Sequence, residues 1–259
     1  MESIMKGSWA LVTGTSAGMG RAIAHALAAR GVHLLLNARR EDRLVKLKEE
    51  LTEKYGIRVE PLVFDIRDLK KCEAVLKSKS ELVSQVSILV NNAGVGRGSG
   101  GVHEASIADW EEMIDTNVRG LLYMTRHILP YMLERDSGHI VNIGSVAGRW
   151  TLPGSVVYAA TKFAVRAISD GLRMDLIGRK IRVTNIEPGI VKTEFNLARL
   201  GGEAKAEAFY KGITPLQPED IAEAVVWCLE RPPHVNIQEL VVFPTDQVGV
   251  GQMYLHRQP

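Results

Sequence analysis

Tyr158 and Lys162 stand four residues apart in the Ala-rich stretch GSVVYAATKFAVRAISDGLRMDL. In a helix that spacing stacks both side chains on one face, which sets a phenol beside an ammonium. A free tyrosine, with a pKa of about 10, is too weak an acid to exchange protons near neutrality. An ammonium about 4 Å away supplies roughly 4 kcal/mol at an effective dielectric of about 20, close to three pKa units. Desolvation opposes part of that gain. The pair therefore reads as a tyrosine acid–base group whose pKa is lowered by Lys162. Alone, a Y-x-x-x-K pattern is more often an exposed surface pair, so its meaning depends on what else reaches that face.

A second constellation lies near the start. ALVTGTSAGMGRAIAHALAARG reads as strand, glycine loop and helix. Gly14, Gly18 and Gly20 carry no Cβ, so the loop can turn tightly and a pyrophosphate can approach the backbone. The helix opening near Gly18 offers unsatisfied N–H groups and the positive end of its dipole. Thr15, Ser16 and Met19 belong to the same loop and are placed at the dinucleotide with it. Loops of this kind that take NAD usually have an acid about 20 residues on, gripping the ribose 2′-OH. In VHLLLNARREDRL that position is Ala38, followed by Arg39 and Arg40. The missing acid removes repulsion from a 2′-phosphate, and a guanidinium can bind one bidentately. NADP(H) is the expected coenzyme; two arginines solvating a helix start are the plainer alternative.

Positioning these groups requires a particular frame. Short aliphatic runs (WALVTG, VHLLLNA, VEPLVFD, SILVNNAG, HIVNIGS, RVTNIEPG, ELVVFPT) alternate with longer helix-periodic stretches. Unbroken apolar strands belong to parallel sheets covered on both faces. The alternation predicts an α/β Rossmann-type fold: one doubly wound parallel sheet of about seven strands, with helices on both faces. With 259 residues, 46% hydrophobic and 24% charged, a single domain over 1–259 is expected. A polar, helix-prone segment at about 194–215 follows a strand end and reads as a substrate lid, against a plain surface helix pair. The tail at about 245–259, VGVGQMYLHRQP at its end, is aromatic for a free terminus and reads as docking on a neighbouring subunit. Met113, Met124, Met132 and Met174 read as helical core fillers. Cys72 and Cys228 read as buried small hydrophobes.

Several classes are set aside. A formal charge of +2 with no basic block gives no nucleic-acid footprint. The seven histidines show no H-x-x-x-H or Cys/His pairing, so no metal site is expected. The opening MESIMKGSWALVTG lacks a charged-then-apolar leader, and no apolar run nears the ~20 residues of a membrane span. The expected place is the cytoplasm.

The spacing of Thr13, Gly14, Gly18 and Gly20, T-G-x-x-x-G-x-G, resembles the short-chain dehydrogenase/reductase family. VNNAG, ending at Gly94, is similar to that family's fourth-strand motif, and Asn117 in DTNVRG to its active-site asparagine. Ser145 in VNIGSVAG stands thirteen residues before Tyr158, and EPGIVKTEF matches the P-G-x-V-x-T segment. NARREDRL, NIGSVAG, PGIVKTEF and the closing stretch resemble the branch of NADP-dependent serine and 3-hydroxy acid dehydrogenases. GRWTLPGSVVY and the lid depart from that branch, and both fall near the presumed substrate pocket.

The resemblance implies hydride transfer between nicotinamide and a carbinol or carbonyl carbon, coupled to one proton. Ser145 would hydrogen-bond the substrate oxygen, with Tyr158 as acid–base group. Lys162 would also hold the nicotinamide ribose, and Asn117 would bind a water beside Lys162. Asp65 would meet the adenine amino group (a helix N-cap is the plainer role), with Ile66 beside the ring. Asn92, Ala93 and Gly94 would pass the adenosine ribose. Pro188, Gly189, Val191 and Thr193 would take the carboxamide and pyrophosphate. Arg149 and Arg199 are equal candidates for a substrate carboxylate, and equally for simple solvation. Serine or a small 3-hydroxy acid is the leading substrate, against secondary alcohols, polyols, sugars or other ketones. An NADP(H)-sensing scaffold without catalysis is the alternative from another class. The family's usual assembly implies a homotetramer.

Overall fold

The computed structural model describes residues 5–98 and 100–256. In chain order the elements begin β1 (Trp9–Thr13), α1 (Gly18–Ala28), β2 (His33–Ala38), α2 (Glu41–Tyr55), β3 (Val59–Val63), α3 (Leu69–Ser78), α4 (Ser80–Val83) and β4 (Val86–Asn91). They continue with α5 (Ile107–Ile114), a π-helical turn (Asp115–Gly120), α6 (Leu121–Glu134), β5 (Gly138–Ile143), a 3₁₀ turn (Val146–Gly148), α7 (Val156–Asp175) and β6 (Ile181–Pro188). The last are α8 (Phe195–Leu200), α9 (Glu203–Tyr210), α10 (Pro218–Leu229), β7 (Glu239–Val242) and a small hairpin, β8 (Gln247–Gly249) with β9 (Gln252–Met253).

Strands β1 to β7 form one parallel sheet in the order β3-β2-β1-β4-β5-β6-β7. All seven predicted runs are strands. Because side chains alternate across a strand, each run feeds two cores. Ala10, Val12, Leu34 and Leu36 pack on one face with Ile23 and Leu27 of α1 and Val225 and Val226 of α10. Leu11, Leu35 and Leu89 pack on the other with Met124, Ile128 and Met132 of α6. This two-faced burial is why the strands read as continuous apolar runs.

The chain order reverses beside β1, so the connections leaving β1 and β4 run to opposite faces of the sheet and leave a crevice at the strands' carboxyl ends, where open α/β sheets bind ligands. Two details differ from expectation. Met174 is 75% exposed near the end of α7, whereas Met113, Met124 and Met132 are buried. The aliphatic helix α10, which covers α1, was not among the predicted elements. The tail folds back onto its own chain: His256 N donates to Gly212 O at 2.7 Å, and Asp246 Oδ2 accepts from Thr214 N at 2.7 Å. These hydrogen bonds tie the tail to its own chain. Among the described residues, no helix is long and apolar enough to cross a membrane.

Candidate active site

The glycine loop leaves β1 at the crevice. Gly14 (φ +72°) and Gly18 (φ +53°) adopt the left-handed conformation that favours glycine. A Cβ on Gly20 would overlap the Gly14 carbonyl oxygen and come within 2.5 Å of Asn92 Nδ2. The loop is thus a cradle that side chains would fill. It opens a groove of about 340 Å³ running from Arg39, Arg40, Asp65 and Ile66 past Gly14, Ser16, Gly18, Met19 and Gly20 to Asn92, Ala93 and Gly94. Asn92 fastens the loop to β4, donating to Thr13 O at 2.8 Å. A bare backbone cradle, a helix N-terminus and a cluster of arginines at the far end together fit a dinucleotide with an extra phosphate.

Two expected contacts are used otherwise. Thr15 is fully buried, and both its N–H and its hydroxyl donate to Asn37 O, at 3.1 and 3.2 Å. It ties the loop to β2 and does not face the groove. Asp65 lines the groove, but its carboxylate accepts from Arg67 Nε and Nη2 at 2.6 to 3.0 Å and lies 3.6 Å from Arg39. Those cations hold it below its usual pKa although burial works against them. The cap of α3 is Asp68, not Asp65.

Beyond Gly94 the groove meets a second cavity of about 200 Å³. Ser145, Tyr158 and Lys162 converge in it, with Pro188, Gly189, Val191 and Thr193 on the β6 side. Ser145 sits at the end of β5, its Oγ accepting from Ala147 N at 3.1 Å and its hydroxyl bonded to the Tyr158 phenol. Phe195 of α8 packs on Gly96, stands 5.6 Å from the Tyr158 ring and borders both cavities. The walls sequence reasoning missed come from α8 and the terminal hairpin: Asn196, Gln247, Val250, Gly251 and Met253. Gln247 is buried and accepts from Ile190 N at 2.8 Å, which joins the hairpin to the segment after β6.

The electrostatics of the pair differ from the expectation. Lys162 Nζ donates to Ile143 O at 2.8 Å and lies 5.9 Å from the Tyr158 ring centre. Burial pushes its pKa down to about 8. Burial also raises the Tyr158 phenol above its ordinary value, opposed by the Ser145 hydrogen bond and the Arg199 cation. Helical stacking brought the two residues to one face, but the ammonium turned to a carbonyl, so desolvation dominates the phenol in this structure. A second cation, Arg199, stands 5.8 Å from the ring centre.

Asn117 lies in the π-helical turn, a distortion often found at functional sites. Its Nδ2 donates to Val95 O (2.9 Å) and Thr161 Oγ1 (3.0 Å), while Oδ1 accepts from Val95 N (2.8 Å). The amide clasps the segment after β4 to α7. A Cβ on Gly94 would lie 3.3 Å from Asn117 Oδ1 and 3.6 Å from Lys162 Nζ, so the three meet at the neck between the cavities.

The two arginine candidates separate. Arg149, four residues after Ser145, is ion-paired with Glu187 and Glu239, and Glu239 also pairs with Arg166 of α7 at 2.8 Å. Glu187 is 1% exposed, accepts from Asn185 Nδ2 at 2.8 Å and immediately precedes Pro188. Arg149 is therefore committed, and it cross-links the Ser145 loop to β6 and β7. Arg199 donates to Ser155 Oγ at 2.9 Å and faces Tyr158. Among the described residues lining this cavity there is no Asp or Glu, and the cations are Lys162 and Arg199.

A sequence model for short chain dehydrogenases matches residues 8–201. NADP-dependent 3-hydroxy acid dehydrogenase YdfG of Escherichia coli is 46% identical over 250 residues, covering 96% of this chain and 99% of that one. Sulfoacetaldehyde reductase 2 of Chromohalobacter salexigens is 44% identical over 239 residues, 92% and 94% of the two chains. The closed form of serine dehydrogenase complexed with NADP+ superposes with a TM-score of 0.88 at 44% identity, over 96% of this chain and all of that one. Motifs, sheet order, site geometry and relatives agree, and the chain belongs to the short chain dehydrogenase family.

Proposed function

We propose that the protein is an NADP(H)-dependent oxidoreductase interconverting a hydroxyl and a carbonyl on a small substrate that carries a carboxylate, with serine or another 3-hydroxy acid as first choice. The observation that carries this reading is the carboxylate-free cavity in which Ser145 and Tyr158 face Arg199. A guanidinium binds a carboxylate bidentately, and about 200 Å³ suits a short carbon chain. Two of a sulfonate's three oxygens can pair with the Arg199 guanidinium in the same bidentate way, and a relative named for sulfoacetaldehyde makes a short sulfonate aldehyde the second reading.

Residue roles follow from placement. Ser16, Arg39 and Arg40 take the 2′-phosphate; Gly14, Gly18, Met19 and Gly20 take the pyrophosphate from the α1 side; Thr193 does so from β6. Asp65 and Ile66 border the adenine, and Asn92, Ala93 and Gly94 its ribose. Pro188, Gly189 and Val191 flank the nicotinamide. The bound coenzyme supplies or accepts the hydride. Ser145 donates a hydrogen bond to the substrate oxygen, and Tyr158 Oη gives or takes its proton. Lys162, fixed by Ile143 O, orients the nicotinamide ribose and, with Asn117 at the neck beside Gly94, leads the proton outward. Arg199 holds the substrate anion and favours phenolate. α8 and α9 act as the lid. The exposed apolar side chains Ile107, Ile114, Leu122, Val156 and Phe163 support a homotetramer, and the cytoplasm is its place.

The test is a panel of L-serine, 3-hydroxypropionate, 2-hydroxyethanesulfonate, a polyol and a secondary alcohol, each with NADP+ and NAD+, read as absorbance of reduced coenzyme. Turnover should be confined to the substrates that carry a carboxylate or sulfonate and be faster with NADP+. Faster turnover of the neutral alcohols would refute the anion reading; a preference for NAD+ would refute the coenzyme.

A further inference from the structure

Glu194 follows Thr193 and opens α8, the first element of the lid. Its carboxylate points back over the coenzyme groove, accepting from Arg43 Nη1 at 3.0 and 3.1 Å and from Arg40 Nη1 at 3.4 Å. Arg40 simultaneously donates to Ser16 Oγ through Nε (3.2 Å) and Nη2 (2.8 Å). Ser16, Arg40 and Glu194 border the same end of the groove. One guanidinium thus bridges a residue of the phosphate loop and a residue of the lid.

A 2′-phosphate seated on Ser16 would carry about −1.5 to −2 charges and three acceptor oxygens, as phosphate monoesters do. It would meet Arg40 already engaged by a carboxylate, and two anions cannot share one guanidinium without repulsion. Resting on the reading of the groove as an NADP(H) site, we propose that Glu194 is a specificity-determining residue that competes with the 2′-phosphate for Arg40, so that a seated phosphate loosens the opening residue of the lid, which is then held by Arg43 alone. A nucleotide with a free 2′-hydroxyl leaves Glu194 on its arginines and the lid tethered. Arg40, Arg43 and Glu194 are 43%, 40% and 50% exposed, so the tether is weak enough to exchange. Pairs of this kind shift equilibria by no more than about fivefold each.

The experiment is calorimetric titration of the full chain and of Glu194→Gln with adenosine 2′,5′-bisphosphate and adenosine 5′-monophosphate. Amide hydrogen exchange of 195–200 is followed in parallel. Removing the competitor should tighten bisphosphate binding about two- to fivefold and leave the monophosphate unchanged. In the unsubstituted protein the bisphosphate, but not the monophosphate, should speed exchange in 195–200. Unchanged or weaker bisphosphate binding by the variant overturns the competition and leaves the coenzyme reading standing. Equal tightening of both nucleotides, or no change in exchange, reduces the effect to loss of a nearby charge and also overturns it. If the unsubstituted protein binds the two nucleotides equally, the coenzyme reading falls and the proposal with it.

Discussion

Replacing Arg149 by Met tests the ion network behind the Ser145 loop. The substitution strands Glu187, whose side chain is 1% exposed and keeps only the Asn185 amide as a hydrogen-bond partner among those described. Burial already raises the Glu187 pKa even with Arg149 present. Without it the carboxyl must stay charged in the interior or take a proton. Protonation caps the electrostatic penalty: pH 7 lies about 2.5 units above the ordinary value of 4.5, which is about 3 kcal/mol. Lost hydrogen bonds to the guanidinium bring the total to about 3–5 kcal/mol, as for other broken buried pairs. The melting temperature should fall by about 10 °C. The sign of the pH dependence is fixed as well. A carboxyl whose folded pKa exceeds its unfolded one stabilises the fold below the unfolded value and loses that contribution as pH rises through the folded value. The variant's deficit should therefore be much smaller near pH 5 than near pH 7. Arg149→Met combined with Glu187→Gln removes the stranded charge and should recover most of the loss. Guanidinium denaturation at both pH values reads all of this. A deficit under about 1 kcal/mol, a deficit independent of pH, or a double variant no better than the single would refute the reasoning.

Tyr158→Phe should abolish turnover while leaving coenzyme affinity within about twofold by fluorescence titration, since it deletes only the proton-transferring hydroxyl; parallel loss of both would contradict its assigned role. Arg199→Met should raise KM for a 3-hydroxy acid by about 10- to 100-fold, the loss of a charge-assisted bidentate contact, and leave KM for neutral alcohols unchanged, since they lose only the cation's effect on Tyr158. Gly20→Ala should abolish coenzyme binding in calorimetry, because its Cβ overlaps the Gly14 carbonyl. Lys162, lowered from 10.5 to about 8, has shed its proton in the folded state while the unfolded chain retains it between those values. Stability of the coenzyme-free protein should therefore rise from pH 8 to 10.5 by up to about 3 kcal/mol, and Lys162→Met should remove that rise in denaturation curves.

Sequence spacing captured what depends on local geometry. All seven strands, the glycine cradle and the meeting of Ser145, Tyr158 and Lys162 follow from short-range patterns and from topology that carries strand ends to one edge. What it could not show depends on partners far away in the chain. Arg149 and Arg199 looked equivalent until Glu187 and Glu239 claimed the first of them. The four-residue spacing put Lys162 next to Tyr158 but could not say that its amine would turn to Ile143 O, nor that burial would outweigh its charge. The substrate wall from Gln247 to Met253 carried only one signal, the unusual aromaticity of the tail.

That wall has a bearing on biosynthesis. The phosphate cradle leaves the ribosome well before the β8–β9 hairpin that bounds the substrate cavity. A nascent chain can assemble its nucleotide crevice well before it owns an enclosed reaction chamber. Loss of the β8–β9 hairpin would strike at chemistry before it struck at folding.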